Sequence, residues 1–562
     1  MSGDSIKEKD VEGSPQVQPT GEPEDIVGEV RDVKNADAAL DFLRSEGNVR
    51  PMMPEDEKKL LRKIDWMVMP LVYFSRPANL FNDYGLCTDA PSNFQMWCCY
   101  CLQYLDKTLI NYANVMGLQE DANITENQFS YLALIFYVTY LALEFPHAYG
   151  MQKLPTAKYL GVMVFLWGVI VTVTAACKNY GALIATRVLL GCFEAAVAPS
   201  LILITSMWYK AKEQPPRVGI WYLGVGTGTI IGSLISFGFQ HYTDGTFTSW
   251  QIMFLVVGLV TCLVGGLTFL LLPDNPMRSR LTHEQKVWAI ERLRSNQTGV
   301  ENKHFKPAQV VECFLDPQTW LLSLITISSN VPNGAVSSFQ ATIISGFGYD
   351  SKTAALLQIP SGGVSMVSIL TATMLAGKFN HRSFHIVTLL MAGILGGCLM
   401  AFAPEGNKAG KLIGNYFTNC IGATLPLLYS FVSANYAGHT KKGQSSANPH
   451  LSLPLSFQQD ITDILLSKVT MNAILLMSFC LGNIIGPLTF TGKSAPQYIP
   501  AKITIIVTCA VAAVLTIMLG FYYKWENKRR DHLAAEGKIA HVQDVEFADV
   551  TDRHNKEFRY RL

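Results

Sequence analysis

Apolar segments long enough to cross a lipid bilayer recur along almost the whole chain. An α-helix rises about 1.5 Å per residue, so crossing the hydrocarbon layer takes about 20 apolar residues. Because globular cores rarely contain many helices of this length and hydrophobicity, the pattern predicts an all-α membrane protein with twelve transmembrane helices. The predicted spans are 96–118, 129–149, 157–177, 180–207, 217–239, 250–272, 319–343, 353–376, 384–403, 410–433, 469–491 and 501–523.

The spans fall into two groups of six, which indicates a duplicated bundle. Residues 55–272 are expected to form the N-terminal half and residues 317–523 the C-terminal half, joined by a cytosolic connector at 273–316. The polar stretches 1–54 and 524–562 are expected to be cytosolic tails, the first of them disordered. Only 16% of the residues are charged, below the roughly 25% of soluble proteins, and they crowd into the tails and the connector.

The distribution of basic residues predicts the orientation. Lysine and arginine are enriched in the cytoplasmic loops of membrane proteins. If the chain starts in the cytosol, the predicted inner loops and the connector hold most of the loop lysines and arginines. The outer loops 119–127 and 241–249 hold none. Both termini are therefore expected to be cytosolic.

Several classes of function lack support in the sequence. The net charge of +1 provides no global field for nucleic acid. The twelve cysteines show neither zinc-ligand spacing nor the framework of a small disulfide-rich domain, so no metal site and no cofactor are predicted. The sequence also contains no recognisable Ser/His/Asp constellation, which argues against an enzyme.

Two polar stretches, 72–95 and 443–468, interrupt the regular pattern of spans and are predicted inserts. They are either ordinary loop insertions, which proteins tolerate well, or retained intron sequence. For the first stretch, the codon of Val72 begins with GT, and Gln95 after Phe94 can be encoded as a pyrimidine run ending in CAG. Its 24 codons would keep translation in frame.

Charged side chains inside predicted spans are costly and are therefore candidate functional residues. They are Asp106 and Lys107 in the first span, Glu144 in the second, and Arg187 and Glu194 in the fourth. Asp106 and Arg187 are predicted at similar depth in the outer half, so we expect them to pair. Arg187 and Glu194 are seven residues apart and share a helix face. These groups fit either a fixed ion pair that clamps the first and fourth helices or substrate and proton binding.

Buried amides form a weaker set of candidates. Asn111, Asn333, Gln340, Asn415 and Asn419 lie in predicted spans and are possible substrate contacts. Amides in membrane helices often only hydrogen-bond to neighbouring helices, and that alternative stays open here.

Motifs distributed over residues 55–525 carry a family resemblance. They include LDKTLINYANVMGL (105–118), EFP (144–146), RVLLGCFEA (187–195), WQIMF (250–254) and PDNP (273–276). With these motifs the chain resembles the major facilitator superfamily, and specifically the fungal anion:cation symporters typified by allantoate permease.

The resemblance implies two six-helix halves that rock around a central site near the bilayer midplane. It also implies proton-coupled uptake of a small organic anion such as allantoate, another ureido compound or a carboxylated, nicotinate-like vitamin. Arg187 matches the fourth-helix arginine that the superfamily associates with proton coupling. Lys107 or Arg187 would hold the substrate carboxylate, and Asp106, Glu144 or Glu194 would take the proton.

The implied partners are the organic anion, protons and the lipid bilayer, with the protein acting as a monomer in the plasma membrane. Nucleic acid is not an expected partner. A rival interpretation is a nutrient sensor of the same fold that binds without transporting. Sensors of this build usually carry a long cytosolic signalling tail, whereas only about 39 residues follow the last predicted span.

Overall fold

The computed structural model describes residues 52–68, 94–210, 213–242, 247–294, 314–379, 381–404, 406–435, 463–495, 497–536 and 559–561. The described residues are helical and contain no β-strand. Residues 1–51 of the predicted first tail, 72–93 of the first predicted insert (72–95) and 443–462 of the second (443–468) lie outside the described residues.

The helices of the first half and the connector follow the predicted pattern. They are α1 Pro54–Val68, α2 Phe94–Val115, α3 Leu118–Asp121, α4 Glu126–Lys153, α5 Thr156–Thr174, α6 Tyr180–Glu194, α7 Val197–Trp208, α8 Gln214–Tyr222, α9 Gly224–Phe239, α10 Ser249–Leu271 and α11 His283–Arg294.

The second half continues with further helices of similar length. They are α12 Pro317–Ser345, α13 Ser351–Leu356, α14 Ile359–Phe379, α15 Arg382–Phe402, α16 Lys408–Thr418, the 3₁₀-helix Asn419–Ala423, α17 Thr424–Asn435, α18 Asp463–Leu488, the 3₁₀-helix Gly492–Ser494 and α19 Ile499–Ala535.

Every predicted span is helical over most of its length. Eight helical stretches of the described chain are long and apolar enough to cross a membrane, judged by length and composition. Several predicted spans are split into consecutive helices, as α6 and α7 are at Ala195 and α8 and α9 are at Leu223. The number of twelve transmembrane helices and the cytosolic termini stay predictions.

Side-chain caps fix where three of the long helices begin. Thr125 and Gln128 form a capping box at the start of α4. The side chain of Asn179 accepts a hydrogen bond from the backbone at the start of α6. Asp316 caps α12, and Pro317 occupies its first turn, where a missing N–H costs nothing. These caps satisfy donors that an apolar environment could not.

Helices α5 and α10 pack with their backbones almost in contact. A Cβ atom at Gly168 would lie 2.5 Å from the backbone nitrogen of Cys262, and one at Gly265 would lie 2.5 Å from that of Phe165. Small residues allow this approach, which provides packing energy where lipid tails compete with apolar side chains.

The two halves meet through α2 with α12, α4 with α18 and α9 with α14. Polar bonds join the halves at the helix ends that the loop charges assign to the outside. Asn114 Nδ2 donates to Thr342 Oγ1 at 2.9 Å, and Ser130 Oγ donates to the carbonyl oxygen of Phe490 at 2.9 Å. At the same end the ring of Phe129 in the first half lies 5.3 Å from that of Phe339 in the second half. The halves are therefore joined at their predicted outer ends.

Candidate functional site

An ion pair between α2 and α6 lies at the centre of the first half. Lys107 Nζ is 3.4 Å from Glu194 Oε1, and the Glu194 side chain is completely buried. The rings of Phe136, Tyr140 and Phe479 surround the ammonium group at 5.6 to 5.8 Å. Such rings attract a cation through their π-electron faces. The pair and the rings together surround the ammonium group of Lys107 with favourable electrostatic partners in an apolar interior.

The described residues contain no direct ion pair between Asp106 and Arg187, but Arg187 is the strongest favourable charge near Asp106, so the pairing of these two side chains stays a prediction. Arg187 is nevertheless near enough to interact electrostatically with both Asp106 and Glu194. Asp106 lies close enough to interact with both Arg187 and Glu194, so the four charged side chains form one buried cluster. Within this cluster the direct ion pair is the one between Lys107 and Glu194.

Both basic candidates open onto one cavity. Arg187 lies 5.8 Å from the ring of Phe254 and is otherwise free of side-chain hydrogen bonds within the described residues. A carboxylate can be held by an ammonium group on one side and by the fork of a guanidinium group on the other. The cavity is lined by Lys107, Ile110, Ala133, Phe136, Tyr137, Arg187 and Ser338, and in this conformation its volume of about 10 Å³ has room for about one water molecule.

Glu144 on α4 is a separate buried carboxyl group. It is 3% exposed, and its Oε2 atom has no hydrogen-bonding partner in the described part of the chain. Its neighbours include Tyr140, Tyr429 and Cys480, none of which carries a positive charge. Because an isolated charge is costly in such surroundings, Glu144 is suited to hold a proton.

The amide candidates divide into bonded and unbonded groups. Asn111 Nδ2 donates to Gln358 Oε1 at 3.0 Å, and Asn111 Oδ1 accepts from the backbone of Ala341 at 2.7 Å, so this side chain ties the two halves together. Gln340 donates to Ser361 at 2.7 Å.

Of the other three amides, two form hydrogen bonds and one does not. Asn333 donates to Asn483 at 3.0 Å, and Asn419 donates to the carbonyl oxygen of Asn415 at 2.9 Å. Both amide atoms of Asn415 are buried without a partner among the described residues. None of the five amide candidates lines the cavity that Lys107 and Arg187 share.

Sequence reasoning missed two polar residues of the cavity. Ser338 lies on α12 and lines the cavity. A single serine in an apolar span does not by itself indicate a functional site. Tyr137 lies on α4, three and seven residues before Tyr140 and Glu144. That spacing places the three side chains along one helix face and could have indicated a polar stripe.

Comparison with known proteins identifies the family. The model of the Major Facilitator Superfamily matches residues 96–450. The chain belongs to the major facilitator superfamily. It is therefore a multi-pass membrane transporter for a small molecule and not an enzyme.

Two curated yeast proteins are similar to this superfamily member over nearly their whole length. The thiamine pathway transporter THI73 of Saccharomyces cerevisiae is 36% identical and aligns over 94% of each chain. The allantoate permease of the same organism is 32% identical, over 99% of this chain and 95% of the permease. The resemblance to allantoate permease noted in the sequence is thus confirmed.

A solved structure shows the shared fold. A bacterial homologue of the human lysosomal transporter Spinster, in an inward-facing and unoccupied conformation, superposes with a TM-score of 0.53 at 16% identity. The match covers 79% of this chain and 97% of that protein. This likeness concerns the fold of the superfamily alone.

Proposed function

We propose that this transporter takes up a small organic anion together with protons. The observation that carries the proposal is the cavity that Lys107 and Arg187 line together, which has to widen as the halves move apart before it can admit the anion. Two cations facing one buried space fit a carboxylate ligand once protonation neutralises the carboxylates Glu194 and Asp106 that offset their charges in this structure. Tyr137 and Ser338 supply hydroxyl groups at the cavity wall and are suited to orient the rest of the ligand.

The substrate class follows from this chemistry and from the relatives. Allantoate, other ureido compounds and carboxylated vitamins of the nicotinate type all combine a carboxylate with hydrogen-bonding groups. Allantoate permease aligns with almost the whole chain, which favours this class. We place the protein in the plasma membrane as a monomer, with both termini in the cytosol.

Protons enter the proposal through charge balance. The buried groups Asp106 and Glu194 can offset the charges of Lys107 and Arg187, whereas Glu144 adds a further carboxyl group with no cation beside it. Protonation of Glu194 would release Lys107 for the substrate carboxylate and so link proton binding to anion binding. An inward proton gradient then drives anion entry against the negative-inside potential. This requires that the number of protons carried with each anion equals or exceeds the negative charge of the anion.

The test is uptake of radiolabelled organic acids in cells that lack their own permease. We expect one carboxylate-containing substrate to accumulate in a pH-dependent manner. Arg187→Ala should abolish this uptake, and Arg187→Lys should weaken apparent affinity more than expression, because lysine lacks the bidentate fork. The exposed Arg280 provides the matched control, and Arg280→Ala should leave uptake unchanged. Saturable binding without accumulation would instead indicate a nutrient sensor.

A second set of variants distinguishes the candidate proton-binding residues from one another. Glu144→Gln should reduce the dependence of uptake on external pH while the protein remains as stable as the unmodified chain, since no ion pair is broken. Glu120 is exposed in an outer loop helix, and Glu120→Gln is the control. An unchanged pH profile in Glu144→Gln would remove Glu144 from the proton pathway and leave Glu194 and Asp106.

A further inference from the structure

Residues Arg559–Arg561 lie against the ends of α17 and α19 that are predicted to face the cytosol, and two asparagines bind their backbone. Asn527 Nδ2 donates to the carbonyl oxygen of Tyr560 at 2.8 Å, and Asn527 Oδ1 accepts from its amide nitrogen at 2.8 Å. Asn435 does the same for Arg561 at 2.9 and 2.7 Å. Each side chain thus satisfies both backbone polar groups of one residue, as a neighbouring strand would in a sheet.

The side chain of Tyr560 fills a closed site between these asparagines. It is 5% exposed, and its ring stacks on that of Tyr523 at 4.9 Å with an interplanar angle of 11°. The guanidinium group of Arg530 lies 4.5 Å from the ring centre, and its Nη2 atom donates to the Tyr560 hydroxyl at 3.0 Å. Stacking, a cation over the ring and a hydroxyl bond together select a tyrosine.

The residues that receive Tyr560 are buried when the segment is in place. Asn435 is completely buried, Tyr523 is completely buried, and Arg530 is 3% exposed. Arg530 is held in place by Glu526 at 3.0 Å, one turn earlier on α19. Such an arrangement presents a fixed set of donors and acceptors to an extended peptide.

A charged contact beside the site adds a preference for a basic residue before the tyrosine. Arg559 Nε lies 2.8 Å from Asp531 Oδ1 on the exposed side of α19. Exposed pairs of this kind contribute little energy, so the backbone bonds and the tyrosine should dominate affinity.

We propose that Asn435, Tyr523, Asn527 and Arg530 form a peptide-binding site, here called the tyrosine site. Its ligand is an extended peptide with a tyrosine between basic residues, and in this structure the chain's own segment Arg559–Arg561 occupies it. Occupancy bridges α17 and α19, because Asn435 ends α17 whereas the other three residues belong to α19.

This bridge restrains a helix that joins the two halves. Helix α17 packs against α8 of the first half. Tyr429 on α17 is near enough to interact electrostatically with Tyr222 at the end of α8 and with Glu144. A segment that fixes the end of α17 therefore slows separation of the halves on this side. This consequence rests on the proposed transport function, whereas peptide binding does not.

Peptide binding is tested first, on the purified full-length protein carrying Tyr560→Ala, which vacates the site. The probe is a fluorescein-labelled peptide of residues 555–562, followed by fluorescence anisotropy. We expect saturable binding that falls at least tenfold when Arg530→Ala or Asn527→Ala is added, or when the peptide tyrosine is replaced by alanine. The neighbouring Arg529 is exposed and points away, so Arg529→Ala is the matched control and should leave affinity unchanged.

A second variant tests peptide binding in case Tyr560→Ala does not fold. Deletion of residues 559–562 also empties the tyrosine site and should bind the peptide like Tyr560→Ala, while the unmodified chain binds it more weakly because its own segment competes. If neither emptied variant binds the peptide, or if Arg530→Ala binds it as well as Arg529→Ala does, the tyrosine site is refuted.

The effect on transport is tested by measuring initial uptake rates, normalised to the amount of transporter protein. Tyr560→Ala should transport at least twofold faster than the unmodified chain, and the free peptide on the cytosolic side should reverse the gain. Equal rates together with intact peptide binding would overturn the restraint on α17. Absence of uptake in every variant would refute the proposed transport function and leave the binding result standing.

Discussion

Lys107 and Glu194 form the ion pair that joins α2 to α6, with 3.4 Å between Nζ and Oε1 and with the carboxylate fully buried. Neither oxygen of Glu194 has a hydrogen-bond donor among the described residues, so the contact depends on charge alone. Such a pair is easily broken by protonation, because no further bonds hold the carboxylate in its ionised form. We therefore propose that the pair acts as a proton-dependent switch, the alternative being a fixed clamp between the two helices.

Removing one member of this pair should be costly. Lys107→Ala leaves the Glu194 carboxylate buried without a cation, a change that typically costs about 3–5 kcal/mol. The double variant Lys107→Met with Glu194→Gln should recover most of this loss, since both charges are gone. Thermal unfolding of the purified variants in detergent measures the effect. If Lys107→Ala melts at the temperature of the unmodified protein, the charged pair does not exist in the folded state.

The close packing of α5 and α10 predicts a contrast between two adjacent glycines. A Cβ atom at Gly265 would lie 2.5 Å from the backbone of α5, whereas one at Gly266 would meet nothing within 4 Å. Gly265→Ala should therefore destabilise the protein by about 1–3 kcal/mol, because backbone cannot move aside as a side chain can. Gly266→Ala should be neutral. Equal melting temperatures for the two variants would contradict the helix contact.

An ion network at the predicted cytosolic face predicts a pH dependence of stability. Glu57 on α1 lies 2.5 Å from Lys210 Nζ and 3.4 Å from Arg292 Nε. Hydrogen bonding to Lys210 is the main cause that lowers the pKa of Glu57 below its usual 4.5, with Arg292 adding to it. The stabilisation is therefore present above pH 4.5 and is lost as the pH falls through the lowered pKa of the folded state.

The variant Glu57→Gln should consequently melt at a lower temperature than the unmodified chain at pH 7, with a difference of at most about 1 kcal/mol because the pair is solvent-screened. The difference should shrink as the pH is lowered toward 4. The exposed Glu55 on the same helix serves as the control. A difference that stays constant between pH 7 and pH 4 would show that the carboxylate charge plays no part.

The sequence predicted helix positions well and contacts poorly, and the reason is physical. Apolar length indicates where a helix lies, and a charged residue inside such a stretch is recognisable from the sequence alone, as Asp106, Lys107 and Glu194 are. Position along a helix does not determine which side chains come into direct contact, so the ion pair between Lys107 and Glu194 could not be predicted from the sequence. Asn111 was a candidate substrate contact but bonds across the two halves, a distinction that depends on tertiary structure.

The two polar stretches at 72–95 and 443–468 call for a test at the level of the transcript. If the first is a retained intron, transcripts lacking the codons for residues 72–95 should exist and dominate in deep RNA sequencing. Deleting these residues should then raise expression and transport. If only the long transcript is found and the long protein transports normally, the stretch is a true loop.

The central claim is that Lys107 and Arg187 bind an organic anion whose entry is coupled to protons. Its most direct test is uptake of the substrate into proteoliposomes that contain the purified protein and carry an imposed pH gradient. The account predicts accumulation when the outside is more acidic, collapse of that accumulation with a protonophore, and no uptake by Arg187→Ala that is correctly folded. Accumulation by Arg187→Ala equal to that of the unmodified protein, or uptake indifferent to the pH gradient, would contradict it.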